Sequence, residues 1–311
     1  MRLHQVVQEY IAHKQALGMR FQNERYAMRS FCRIMGNIQL RDADPAKVMA
    51  FIGDASRPGR WRCYYRILNS FYRYALDRGL AEHAPFPRHA PRFPPQTRPY
   101  IYTTAELRQL LAAASGLPTV YSPLQPATYR TLLLLLYGAA LRVSEAINLT
   151  LGDVDIAEKT LVIRKTKFFK QRLVPVGTKL ARTLSTYLEN RRRLPLPSGD
   201  TSQFFCNRTG RGLDRGRVEQ IFRRLCLQVG IRRSGGPRAQ PRLHDLRHTS
   251  ATDHLIAWYE AGEDVERLLP HLATYLGHNG VHSTQCYLSL TPRLLQKASA
   301  RFHRYFAGEL S

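Results

Sequence analysis

Prolines interrupt the chain between residues 84 and 100, and this interruption restricts the fold more than any other feature of the sequence. A proline lacks a backbone N–H and has a fixed φ, so prolines at this density cannot continue a helix and instead form a semi-rigid, extended linker. The sequence therefore predicts two domains, residues 1–84 and 101–311, joined by a linker over residues 85–100. The prolines that mark the linker include Pro85, Pro87, Pro94 and Pro95.

Apolar periodicity predicts a mainly α-helical protein with a small β-sheet, an α+β fold. Helical spacing dominates the first eighty or so residues. After the linker, Thr103 and Glu106 match a capping box ahead of an apolar run. Residues 160–164 and 172–176 read as two strands joined by the basic turn 165–170. An aromatic stripe at helical spacing, which we expect to be buried in the core, consists of Trp61, Tyr65, Leu68, Phe71 and Leu76.

The charge of the chain predicts a polyanionic partner. Lys and Arg number 47 against 23 Asp and Glu, which gives a formal net charge of +24. A compact protein with this excess repels itself, and neutralisation of phosphates by basic side chains is the main source of non-specific affinity for nucleic acid. Solubility or attraction to an acidic membrane are the other interpretations, but no amphipathic basic anchor stands out.

Cysteine usage and hydropathy predict a cytoplasmic protein without a membrane segment. The five cysteines are scattered and form no CxxC motif, which argues against a disulfide framework and against a cysteine zinc site. The first residues lack the apolar core of a signal peptide. The strongest apolar run, around residues 132–136, is too short to cross a bilayer.

Two basic clusters in the second domain could act on a phosphate. In residues 137–145 a glycine and small residues allow a tight turn that places Arg142 near a helix start, where a planar guanidinium can hold a phosphate. Alternatively, Arg142 is a surface residue paired with Glu145. In the turn 165–170, a lysine at a hairpin tip can reach into a cleft and donate a proton. The alternative there is a solvated loop that touches the DNA backbone.

Two further clusters contain histidine. His244 and Arg247 are three residues apart and share a helix face, so an imidazole and a guanidinium can hold an oxyanion together. His244 and His248 also have the i, i+4 spacing of zinc metalloproteases, but Asp245 stands where that motif needs glutamate. A metal-dependent nuclease or hydrolase using these two histidines remains an alternative.

The last cluster contains His278 and, nine residues later, Tyr287. Tyr287 is one of sixteen tyrosines in the chain, and taken alone it would be interpreted as a buried, hydrogen-bonded side chain.

These four clusters, in this order, resemble the tyrosine recombinase family, also called phage-type integrases. The resemblance covers residues 101–311, and the basic helical region 1–84 is similar to the family's core-binding, SAM-like DNA-binding domain. Two departures are visible: Ala140 stands where the family usually has glycine, and the spacing from Arg247 to His278 is longer than usual, as in integrases of transposons and plasmids. By the resemblance, the catalytic residues are Arg142, Lys167, His244, Arg247, His278 and Tyr287.

The resemblance implies a site-specific recombinase that cleaves and rejoins DNA through a 3′-phosphotyrosine on Tyr287. The arginines would hold the phosphate and Lys167 would protonate the 5′-oxygen, with no metal or other cofactor. Strand exchange between two duplexes implies a homotetramer on DNA. A DNA-binding protein with a non-catalytic site and a topoisomerase-like enzyme remain alternatives. The segment from Thr291 onward predicts a C-terminal helix that packs on its own domain or on a neighbouring protomer.

Overall fold

The computed structural model describes residues 1–19, 21–54, 56–89, 98–120, 122–164, 171–277, 280, 282–289, 296 and 299. These residues form two compact units, the first ending at residue 89 and the second beginning at residue 98. No helix in this part of the chain combines the length and the apolar character that a bilayer crossing requires.

The first unit is a set of four α-helices around an aromatic core. Asp44 caps α3, since its carboxylate accepts a hydrogen bond from the Ala46 N–H at 2.8 Å. Tyr10 lies in the core, where its ring centroid is 5.4 Å from those of Phe21 and Phe71. Burial of such rings is a large source of stability in a small helical unit. The helices are α1 (Leu3–Ala16), α2 (Gln22–Met35), α3 (Pro45–Ile52) and α4 (Pro58–Asp77).

The predicted aromatic stripe forms the buried face of α4 except at its end. Trp61, Leu68 and Phe71 are buried, whereas Leu76 is 37% exposed and the expectation that it joins the stripe was wrong. The buried face continues through Ala75 instead. Seven residues from Leu68 complete nearly two turns of 3.6 residues, so position 75 faces the core and position 76 turns away from it.

The second unit is mostly helical as well. The predicted capping box at its start is confirmed: Thr103 Oγ1 accepts from the Glu106 N–H at 3.2 Å, and Glu106 Oε2 accepts from the Thr103 N–H at 2.7 Å. A 3-10 helix, Cys286–Ser289, follows the last described α-helix. The α-helices are α5 (Thr104–Ser115), α6 (Gln125–Gly138), α7 (Val143–Ile147), α8 (Thr178–Arg192), α9 (Arg215–Gln228), α10 (Gly236–Ala239), α11 (Asp245–Glu260), α12 (Val265–Leu276) and α13 (His282–Gln285).

A three-stranded antiparallel sheet lies between α7 and α8. Its strands are β1 (Val154–Asp155), β2 (Thr160–Ile163) and β3 (Arg172–Pro175), in the order β1-β2-β3. Ile163 is paired with Arg172, so β3 begins directly opposite the end of β2. The two strands predicted from the sequence are therefore confirmed, and with them the α+β class. The basic turn 165–170 lies outside the described residues.

Two hydrophobic clusters stabilise the second unit. The larger one surrounds the leucine run of α6. The smaller one joins α11, α12 and the 3-10 helix, and includes Ala140, Leu255, Leu276 and Tyr287. This smaller cluster positions the candidate site, because Tyr287 is one of its members.

Candidate active site

Arg142 stands at the start of a helix, as the small residues before it predict. Helix α6 ends at Gly138, and the chain then turns through Ala140, which has a φ of +48°. Arg142 is the N-cap of α7, and its backbone N–H donates to Glu145 Oε2 at 2.9 Å. Its guanidinium Nη1 donates to Glu145 Oε1 at 2.7 Å. The side chain stays 37% exposed, so the pairing with Glu145 leaves part of the guanidinium open to a phosphate.

Arg172, at the start of β3, holds the same carboxylate from the other side. It donates from Nη1 to Glu145 Oε1 at 3.0 Å and from Nη2 to Glu145 Oε2 at 2.8 Å, a bidentate pair. The side chains of Arg172 and Glu145 are only 13% and 8% exposed. Burial opposes the charge of Glu145, but the hydrogen bonds and charges of Arg172 and Arg142 lower its pKa to about 2. Glu145 is therefore anionic at any physiological pH.

Arg247 is buried in the first turn of α11, with 2% exposure. Its Nη1 donates to the Ala140 carbonyl oxygen at 2.8 Å and its Nη2 to the Leu276 carbonyl oxygen at 2.5 Å. Burial, and then the charge of Arg142, lower the pKa of Arg247 to about 10. It therefore remains a cation at neutral pH, and it lies close enough to Arg142 for the two charges to interact.

The C-terminal end of α12 brings the two arginines together. Leu276 is the last residue of this helix, and Gly277 caps it with a φ of +66°. Arg142 Nη2 donates to the Gly277 carbonyl oxygen at 2.7 Å, next to the Leu276 carbonyl that Arg247 holds. The last carbonyls of a helix lack partners within it and carry the negative end of its dipole. They are therefore natural acceptors for two cations.

The beginning of α11 is fixed by contacts on its other sides. Asp245 is 1% exposed and accepts hydrogen bonds from the backbone N–H of Arg242 at 2.9 Å and from Nη2 of the same residue at 2.8 Å. The Thr249 hydroxyl accepts from the Tyr102 N–H at 3.0 Å, which ties α11 to the segment before α5. These bonds hold the first turn of the helix, and with it Arg247, in one orientation.

His244, His248 and Tyr287 follow one another in space. His244 is the N-cap of α11, and its ring meets that of His248 edge to face, with centroids 4.9 Å apart. The His248 ring centroid is 5.5 Å from that of Tyr287. Surrounding protein atoms, followed by the nearby His248 and Arg247, lower the pKa of His244 to about 4. His244 is therefore neutral at neutral pH and able to accept a proton.

Tyr287 lies in the 3-10 helix and is 2% exposed, packed among the apolar side chains of α11 and α12. An electrostatic interaction with Tyr287 raises the pKa of Arg247, which places the phenol near that guanidinium. The structure thus brings together four of the six residues predicted from the sequence. Lys167 and His278 lie outside the described residues, as does the predicted C-terminal helix from Thr291.

Sequence reasoning missed two residues of this arrangement. His248 was considered only as a metal ligand, yet it lies between His244 and Tyr287. Arg172 was noted only as part of a strand. Within the described ranges no group of three or more His, Cys, Asp or Glu side chains is placed to hold a metal ion. The two histidines therefore gain no third ligand from that part of the chain.

Comparison with known proteins identifies the family of the chain. Residues 101–293 match the model of the phage integrase family. The chain is 36% identical, over 96% of both sequences, to an inferred integrase/recombinase (y4rB) of Sinorhizobium fredii. It is 34% identical to the tyrosine recombinase XerD of Mycobacterium tuberculosis, over 76% of this chain and 71% of that one.

A solved structure with the same fold is the Tn1549 transposon integrase bound to transposon right-end DNA. It has a TM-score of 0.69 at 17% identity and covers 98% of this chain and 99% of its own. The order of the clusters, the meeting of the two arginines at the end of α12 and the family match agree, and they do not favour a metal-dependent nuclease. The chain therefore belongs to the phage integrase family, the tyrosine recombinases.

Proposed function

We propose that this chain is a site-specific DNA recombinase whose nucleophile is Tyr287. The observation that carries the proposal is the meeting of Arg142 and Arg247 at the end of α12, with Tyr287 near Arg247 and its ring against that of His248. Two cations with planar donor groups suit the non-bridging oxygens of a phosphodiester. A tyrosine next to them suits covalent attack on the phosphorus.

The reaction proceeds by two transfers of one phosphoryl group. The Tyr287 oxygen attacks the phosphorus and the bond to the 5′-oxygen breaks, which leaves a 3′-phosphotyrosine and a 5′-hydroxyl. The phenol proton passes to neutral His244, and Lys167 protonates the departing 5′-oxygen. Attack by a 5′-hydroxyl of another strand then reverses these steps and releases the tyrosine. The covalent link retains the bond energy, so rejoining needs no nucleotide cofactor.

The arginines have different parts in stabilising the transition state. Arg142 is 37% exposed, so its guanidinium is accessible and contacts a non-bridging oxygen directly. Arg247 is 2% exposed and uses two donors on carbonyls, so it mainly supplies a fixed positive charge. A free phenol titrates near ~10, and a positive site lowers the free energy of its phenolate-like character during attack. His278 completes the donors around the phosphate.

The first unit and the charge of the chain supply DNA binding in this proposal. Residues 1–84 act as a core-binding domain, residues 85–100 as a linker, and residues 101–311 as the catalytic domain. A net charge of +24 fits a protein that lies along a duplex. Four copies act together on two duplexes, as in the lambda integrase tetramer bound to a Holliday junction. The proposal further places the gene on a mobile element and the protein in the cytoplasm.

The experiment begins by finding a target, because base-edge contacts and DNA shape set specificity. The Tyr287→Phe variant is used to select binding sequences from random duplexes. The selected sequence is then made as a nicked suicide substrate, from which the short cleaved strand diffuses away. Wild-type protein in EDTA should give a protein–DNA adduct that survives denaturation.

Two variants are compared with the wild type in the adduct assay. Tyr287→Phe should bind the selected DNA and form no adduct, since only the phenol oxygen is removed. Tyr275→Phe is a matched control: Tyr275 belongs to the same apolar cluster, and its hydroxyl lies 3.4 Å from the Gly138 carbonyl. It should form the adduct. Adduct formation by Tyr287→Phe, or none by the wild type on the selected sequence, would refute the proposal.

A further inference from the structure

Arg172 is a largely buried cation beside the site, and the reaction described above gives it no part. It opens β3, is 13% exposed, and donates two hydrogen bonds to Glu145. Its guanidinium also lies close against Gly277: a Cβ at that glycine would be 2.7 Å from Nη1 and 2.8 Å from Cζ. Arg172 therefore contacts both groups that hold Arg142, namely Glu145 and the cap of α12.

Glu145 is shared equally between two arginines. Its Oε1 accepts from Arg142 Nη1 at 2.7 Å and from Arg172 Nη1 at 3.0 Å. Its Oε2 accepts from the Arg142 backbone N–H at 2.9 Å and from Arg172 Nη2 at 2.8 Å. The two arginines and one carboxylate carry a net charge of +1. If a neutral residue replaced Arg172, the carboxylate of Glu145 would cancel the charge of Arg142. Both of its oxygens could then accept hydrogen bonds from the Arg142 guanidinium.

Building on the function proposed above, we propose that Arg172 is a positioning residue for the scissile phosphate. It neutralises Glu145, so that the positive charge of the partly exposed Arg142 stays available to the DNA. Arg142 is then held by single hydrogen bonds to Glu145 Oε1 and the Gly277 carbonyl oxygen through its two terminal nitrogens. The competing explanation is that Arg172 only fastens β3 to α7.

The two explanations differ in which step they affect. Arg172→Met leaves a buried carboxylate facing Arg142 alone, so the transition state meets a neutral pair instead of a cation. Loss of one such electrostatic contact typically slows the chemical step by about 10²-fold or more, and we expect a fall of about 30- to 100-fold in the cleavage rate constant. Affinity for the duplex should stay within about threefold, because it is spread over many phosphate contacts.

A double-mutant cycle separates the explanations. The four proteins are the wild type, Arg172→Met, Glu145→Gln and the double variant, each measured in single-turnover cleavage of the suicide substrate. If Arg172 compensates charge, adding Glu145→Gln to Arg172→Met removes the uncompensated negative charge and restores the rate at least about tenfold. If Arg172 only fastens the strand, the second substitution removes another bond and lowers the rate further.

Further variants keep the test informative. Arg172→Lys retains the charge and should keep most of the rate, and Arg172→Gln repeats the cycle in a variant that can still hydrogen-bond Glu145. Arg215→Met is the matched control, since Arg215 is an exposed partner of Glu219 on α9 and its loss changes the net charge equally. It should cleave at the wild-type rate. Thermal unfolding verifies that each variant is folded.

The outcomes distinguish a failure of the role of Arg172 from a failure of the proposed recombinase function. Absence of any adduct with the wild type would overturn both. A wild-type adduct together with an unchanged rate in Arg172→Met, or a double variant slower than Arg172→Met, would overturn the role of Arg172 alone. Loss of cleavage with rescue by Glu145→Gln supports it.

Discussion

Replacing Gly277 by alanine tests the junction at the end of α12 most directly. The residue has a φ of +66°, and a left-handed conformation costs about 1–2 kcal/mol for a residue with a Cβ. The new Cβ would also lie 2.7 Å from Arg172 Nη1 and 2.8 Å from its Cζ, too close to remain. Arg172 cannot yield freely, because Glu145 holds it with two hydrogen bonds. Losing one bond to a charged partner costs about 1.5–3 kcal/mol.

Gly277→Ala should therefore lower the free energy of unfolding by about 2.5–5 kcal/mol, which combines the backbone and hydrogen-bond effects. Urea unfolding of purified protein measures this change. Gly262→Ala isolates the backbone effect, since Gly262 has a φ of +77° and no heavy atom within 4 Å of a built Cβ. That control should lose only about 1–2 kcal/mol. Equal losses in the two variants, with wild-type cleavage by Gly277→Ala, would show that Arg172 does not press against this glycine.

Two other predictions concern the turn before Arg142 and the N-cap of α11. Ala140→Val should destabilise the protein by more than about 2 kcal/mol, because a buried β-branched residue is forced to a φ of +48°. Ala140→Gly should unfold within about 1 kcal/mol of the wild type, since relief of backbone strain offsets the lost methyl group. His244 has a pKa of about 4, below its ordinary value of ~6.5, so the unfolded chain binds more protons between these pH values. Stability should therefore fall as the pH drops from about 6.5 to about 4, and His244→Gln should flatten that part of a melting-temperature profile. An unchanged profile would contradict the shift.

Local patterns in the sequence predicted local structure well. The capping box at Thr103 depends on two residues three positions apart, and it is present. The pairing of Arg142 with Glu145 could likewise be predicted, because the two residues are three positions apart. Leu76 shows the limit: a stripe of apolar residues fixes the helix, but a one-residue shift decides which of its last members is buried.

Contacts between distant parts of the chain could not be read from patterns. Arg172 is 27 residues beyond Glu145, and Gly277 is 135 beyond Arg142, so no spacing rule connects them. Ala140 is instructive, since the positive φ it adopts explains why related chains usually have glycine there. The part of His248 was missed because its i, i+4 spacing from His244 suggests a pair of metal ligands. In the structure its neighbour is instead the aromatic ring of Tyr287.

The end of α12 also has a consequence for how this site tolerates change over evolutionary time. Arg142 and Arg247 donate to the carbonyls of Gly277 and Leu276 at the end of the helix, so these contacts do not depend on the residues at its beginning. We therefore expect residues 261–263, before the N-cap Asp264 of α12, to tolerate a change in length while the same two carbonyls stay in place. A long spacing between Arg247 and His278 is therefore compatible with both arginine contacts at the end of α12.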